Sequence, residues 1–179
     1  MRGRAGAAAA AVVAAAAAVV AGCAGTGGTA GDAVAPDMAR APLVSVDGAA
    51  DARFAVRYQA STGQCPAGAI QLVEGDELRR LRAEWDETGD SCSPARKQDV
   101  PASADYPALL QAHGVAGGAH VLVRIDREGR VLDARAVCAS DERFAAAAEA
   151  TARAIAYAPA TCAGEPRRRA FLLPFKYDI

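Results

Sequence analysis

The residues best suited to chemistry in this chain are its five cysteines, Cys23, Cys65, Cys92, Cys138 and Cys162. An odd count sets one apart. Cys23 closes the alanine-rich run that ends "VVAGCAG", which leaves four cysteines for two disulfides. Four cysteines allow three pairings. The local ones, Cys65 with Cys92 and Cys138 with Cys162, are favoured here. In the chain-entropy picture a bridge closing about 25 residues contributes roughly 3.5 kcal/mol. There is no CxxC and no close Cys/His pair in the sequence, so neither a metal site nor a cofactor is expected. The two histidines, His113 and His120, sit in no readable Ser/His/Asp or Cys/His arrangement. His113, near a helix C-terminus, has an ordinary dipole explanation. Catalysis is not expected.

Arg2 and Arg4 precede an apolar run from Ala5 to Ala21, interrupted only by Gly6. This is the three-part design of a secretory signal. As a spanning helix it is short, and its alanines contribute little transfer energy. Val20-Ala21-Gly22-Cys23 resembles the lipobox of bacterial lipoproteins. That resemblance implies cleavage of a signal peptide over 1–22 and acylation of Cys23, for instance by palmitate. Ala24 after the cysteine implies delivery to the outer membrane, facing the periplasm. Two or three acyl chains would hold firmly where one is marginal. Export also means an oxidising compartment, in which disulfides persist.

The elements that must position these cysteines follow from composition and periodicity. The chain has 179 residues and a net charge of −1, which gives no electrostatic case for nucleic acid. Residues 23–50 are rich in Gly, Ala, Thr and Pro without apolar periodicity and read as a flexible tether. Residues 51–100 read as a small disulfide-stapled ββα segment. Phe54, Val56 and Tyr58 alternate as a strand, Ala69–Val73 suggests a second, and "GDELRRLRAEWDETG" a helix. Asp76 would cap that helix, Leu78, Leu81 and Trp85 would share one face, and Gly89 would end it. Trp85 reads as core.

From Tyr106 the order is α-β-β-α-β. "YPALLQAHG" reads as a short helix, and "GAHVLVRIDREGRVLDARAVC" as a hairpin turning at Gly129. Val121, Val123 and Ile125 would face one way, with Leu132, Ala134, Ala136 and Cys138 on one face of the return strand. Ser140 would cap a helix whose buried stripe is Phe144, Ala148, Thr151 and Ile155, with Glu149 and Arg153 an outward pair. The last strand turns Phe171, Leu173, Phe175 and Tyr177 inward. Pro174 cannot donate to a ladder, so this strand is expected at an edge. Arg167–Arg169 would be a solvated stretch or a binder of acidic groups. The expected class is α+β, a three-stranded antiparallel sheet packed on a helix.

Residues 104–179 resemble the TonB C-terminal domain. The resemblance rests on Tyr106-Pro107 and Gly114, Gly118 before the first strand, and "DREGRV" at the hairpin. Ser140, "AIAYAPATCAGEP" and "LPFKY" continue it in order. Ile155 stands where the family commonly has tryptophan. The resemblance implies a non-enzymatic, periplasm-facing domain that binds receptor peptides by strand addition. The implied binding strand is Arg168, Arg169, Ala170, Phe171, Leu172, Leu173, Pro174, Phe175, Lys176 and Tyr177. Implied partners are outer-membrane TonB-dependent receptors or other envelope proteins, in transport across the envelope. An energy transducer would need an uncleaved N-terminal anchor to meet the ExbB–ExbD motor, and the family's proline-rich spacer is missing. That reading and a structural envelope lipoprotein are the alternatives.

Overall fold

The computed structural model describes residues 38–45, 55–58 and 64–179. Cys23, Phe54, the signal segment and most of the tether lie outside them. The described elements run in chain order as β1 Met38–Ser45, β2 Ala55–Tyr58, β3 Ile70–Gln71, α1 Gly75–Trp85, β4 Arg96–Asp99 and β5 Ser103–Pro107. They continue as α2 Ala108–Ala112, β6 Gly117–Ile125, β7 Val131–Ala139, α3 Glu142–Ala154, β8 Ala156–Ala158, β9 Ala160–Cys162, β10 Glu165–Arg167 and β11 Arg169–Asp178.

The sheet has seven strands, not three, in the order β3-β7-β6-β11-β2-β1-β5. The expected β6–β7–β11 antiparallel core is present. Short strands from the preceding chain extend it at both sides. β2 and β3 do not pair with one another, since one joins β11 and the other β7. Residues 51–100 therefore supply pieces of the main sheet. Two small ladders, β4 with β8 and β9 with β10, stand beside it.

Strand alternation sorts side chains onto two faces. Val121, Val123 and Ile125 meet Phe144, Ala148 and Ala152 of α3 on one face, with Leu173, Phe175 and Tyr177 of β11. Leu122, Cys138 and Ala170 lie on the other, with Val73 and α1's Leu78, Leu81 and Trp85. Helices thus cover both faces. At the centre of the first core, Phe144 stacks on Tyr177 at 4.4 Å between ring centroids, and Tyr106 meets Tyr177 edge-on at 5.3 Å. The alanines of α3 let it lie close to the sheet. Gly117 serves the same approach, because a Cβ there would come within 2.3 Å of both the Phe144 ring and Ser140 Oγ.

Two irregularities in the β6–β7 ladder correct the expected phase of the return strand. Arg124 pairs with Asp133 and Ile125 with Val131, so Leu132 is extra and turns outward, 55% exposed. His120 pairs with Cys138 but Val121 with Ala136. Val137 is the second extra residue, and Cys138 lands on the α1 face instead of with Ala134 and Ala136. Glu149 and Arg153 are also more than an outward pair. Besides their 3.4 Å ion pair, Glu149 accepts from Ala136 N at 2.7 Å and Arg153 donates to the Ala134 carbonyl. They satisfy β7 backbone groups that β6 leaves unmet.

The helix caps differ from expectation. Glu74, not Asp76, precedes α1, which ends at Trp85 with Asp86 as its C-cap, short of Gly89. Asp141 caps α3 by accepting from Arg143 N, while Ser140 Oγ accepts from Gly118 N at 3.0 Å. The hairpin turn is as expected. Gly129 has φ +82°, and its Cα lies so close to the Tyr157 carbonyl that no side chain fits. Asp126 accepts from Glu128 N and Arg130 N there. Its burial opposes the charge, but the hydrogen bonds from Arg130 and Glu128 prevail and hold its carboxyl below the usual range.

Candidate functional site

β11 lies inside the sheet, contrary to the expected edge. It pairs with β6 from Arg169 to Tyr177 and, on its other side, with β2 from Phe175 to Asp178. Among the described residues its second side is laddered only over that last stretch. Pro174 sits one position beyond the β2 ladder, so its missing N–H is tolerated where the second pairing stops. Ala55 and Val56 of β2 are fully buried, which makes the self-supplied strand a packed part of the core. The terminal strands among the described residues are β3 and β5.

The side chains of the expected binding strand divide cleanly. Leu173, Phe175 and Tyr177 are buried toward α3, with Phe171 partly buried beside them. Ala170 and Leu172 belong to the α1 face. Pro174 is buried opposite His120. Lys176 is exposed and pairs with Asp178 at 2.7 Å. The three consecutive arginines do not form a free cationic patch. Arg167 pairs with Glu165 at 2.7 Å, Arg168 with Glu87 at 2.9 Å and Arg169 with Asp86 at 3.3 Å.

Glu87 organises the N-terminal end of β11. Its carboxylate accepts from the Arg127 side chain of the hairpin, from Arg168 N and from the Arg168 side chain. The Arg127 hydrogen bond foremost, then those from Arg168, hold it down to about 2. Trp85 lies beside it, with Arg168 4.8 Å and Arg124 5.4 Å from its ring centroid. Its indole N–H donates to the Ile125 carbonyl at 3.1 Å. Trp85 is a structural anchor, as its helical spacing suggests.

The disulfides join Cys65 to Cys138 and Cys92 to Cys162, correcting the local pairing. Tertiary contacts explain the exchange. Ile70 and Gln71 of β3 pair with Ala139 and Cys138, which carries Cys65 to β7. Ser93 bridges Thr161, which carries Cys92 to Cys162 at the end of β9. The same packing creates a Cys/His group invisible in the sequence. One ring nitrogen of His120 and the sulfurs of Cys65 and Cys138 all lie within 4.8 Å of one another. His120 is 5% exposed, and its buried Nδ1 has no hydrogen-bond partner. Burial lowers its pKa. His113 only ends α2, its backbone N–H reaching the Leu109 carbonyl.

No curated protein matches this chain, and no solved structure does. Among the described residues no helix is long and apolar enough to cross a membrane. The expected resemblance has a direct counterpart in the comparison with family models, over a span that begins just before β5 and ends with β11. Residues 102–179 match the family described as the Gram-negative bacterial TonB protein C-terminal.

Proposed function

We propose that this protein is a cell-envelope lipoprotein whose TonB C-terminal domain docks on other envelope proteins through main-chain pairing along β11. The match over residues 102–179 carries the reading. It belongs to Gram-negative envelope biology and is not an enzyme family. The resemblance of Val20–Cys23 to a lipobox supports the second part. Acylation at Cys23 would tether the domain to a membrane and leave it facing the periplasm. The partner is an extended segment of an envelope protein, with receptor N-termini the first candidates. Such a strand would enter beside Arg169–Pro174 or take the place of Ala55–Tyr58, where main-chain hydrogen bonds give affinity and side-chain pockets give selectivity.

Two measurements test the parts separately. Labelling growing cells with a radioactive fatty acid should mark the chain, and Cys23→Ser should abolish the mark. An unlabelled full-length product removes the lipoprotein part. Titration of the purified chain with receptor N-terminal peptides should slow amide exchange along β11. Binding that leaves β11 amides unchanged, or no binding at all, removes the strand-addition part.

A further inference from the structure

We propose that Cys65, His120 and Cys138 form a redox-gated site for a thiophilic d10 cation, Zn²⁺ or Cu⁺. The site is closed while the two cysteines are joined and open once a dithiol reduces them.

Geometry carries the proposal. The three donor atoms already lie within 4.8 Å of one another. Tetrahedral donors around Zn²⁺ stand roughly 3.5–3.8 Å apart, given metal–ligand distances near 2.3 Å to sulfur and 2.0 Å to nitrogen. Only a small rearrangement separates the two arrangements. The scaffold is stiff: His120 and Cys138 are direct cross-strand neighbours on β6 and β7, and the β3 ladder fixes the segment that follows Cys65. Ligands on paired strands hold their geometry better than ligands on free loops.

The state of His120 is the second, independent observation. A buried polar atom without a partner calls for an explanation, and Nδ1 is such an atom in a side chain only 5% exposed. Pro174 lies across the ladder on the other side and has no N–H to offer. A bound cation would give the imidazole a partner. The donor set is two sulfurs and one imidazole with no carboxylate, which selects against Mg²⁺ and Ca²⁺ and suits Zn²⁺ with one open position, or Cu⁺.

The histidine side of the group is open to a cavity. A cavity of about 370 Å³ is lined by His120, Pro66, Gly118, Ser140, Phe175 and Lys176. Cys65 is partly exposed while Cys138 is buried, so an incoming thiolate meets the Cys65 sulfur. Its attack forms a mixed disulfide at Cys65 and expels the Cys138 thiolate, which takes up a proton. The donor's second thiolate then attacks its own sulfur in the mixed disulfide and releases Cys65. The donor dithiol loses two electrons and leaves as its disulfide; the protein gains two thiols. The cation then displaces both thiol protons and binds the two thiolates and the neutral imidazole.

The test uses the full chain, reduced with a dithiol and freed of it, and Zn²⁺ alone as the probe. Alkylation of each cysteine is followed by mass spectrometry with and without one equivalent of Zn²⁺. We expect Zn²⁺ to slow alkylation of Cys65 and Cys138 at least tenfold, with Cys92 and Cys162 as internal controls. In His120→Gln that protection should fall at least tenfold, while far-ultraviolet circular dichroism stays that of the parent. Equal protection in His120→Gln would mean a two-thiol chelate without the histidine. No protection in the parent would mean that the reduced chain offers no site. Either result overturns the proposal.

Discussion

Removing the Cys92–Cys162 bridge should be among the costliest pairs of changes this protein can undergo. The bridge spans 70 residues. In the chain-entropy picture a loop of that length restricts the unfolded chain by about 4.4 kcal/mol at 25 °C. The Cys65–Cys138 bridge overlaps it and offers a shorter route between the same points. The dependence on loop length is logarithmic, so even a path of about 50 residues still gives about 4.1 kcal/mol. Cys92→Ala with Cys162→Ala should therefore lower unfolding stability by about 4 kcal/mol. The relevant assay is urea unfolding under non-reducing conditions, read with the slope as well as the midpoint. A larger slope is expected, because the unfolded chain exposes more surface once a crosslink is gone. Peptide mapping of the parent supplies the check on connectivity. A Cys65–Cys92 peptide, or a stability loss below about 1 kcal/mol, would refute the reasoning.

Two further perturbations probe the core and the charge network. Phe144→Ala empties the centre of the Tyr106–Phe144–Tyr177 cluster and should cost about 3–5 kcal/mol in chemical denaturation; a loss under 1 kcal/mol would mean that the cluster collapses onto the space. Glu87 is held down to about 2 in the folded chain against an ordinary 4.5. The unfolded chain thus binds a proton first, so this contribution is complete above about pH 4.5 and drains away as pH falls toward 2. In Glu87→Gln the urea midpoint should fall less steeply between pH 5 and pH 2; parallel curves for both proteins would count against the network.

What could be read in the sequence was whatever local pattern decides. The α3 stripe is strongly periodic, and Phe144, Ala148, Thr151 and Ile155 are all buried. The hairpin announces itself through alternation and Gly129, and the ordered landmarks from Tyr106 to Tyr177 point to the family whose model residues 102–179 match. What could not be read depends on contacts distant in sequence. β5 lies in "SADYP", polar and proline-ended, and becomes a strand because β1 pairs along it. β1 is hidden for the same reason within an Ala/Pro-rich stretch. Bulges leave no simple signature, so the positions of Leu132 and Cys138 were out of phase. Disulfide choice followed the wrong principle. Loop closure favours near neighbours, but the folded chain joins the cysteines that β3–β7 pairing and the Ser93–Thr161 bridge bring together. The group around His120 was out of reach by the same logic, since its three residues are adjacent only across strands.

The Cys65–Cys138 bond has a mechanical meaning as well. Under the function proposed above, the domain would be tethered at one end, gripped along β11 at the other and pulled by its termini. The bond short-circuits 73 residues of chain. At roughly 3.4 Å per extended residue, about 250 Å of slack stays locked inside the molecule under load. Tension would first peel the short β1 and β2 strands and then stop at a covalent limit. The Cys92–Cys162 bridge overlaps it and keeps nearly the same short route, so only reduction of both bonds would turn a stiff link into an extensible one.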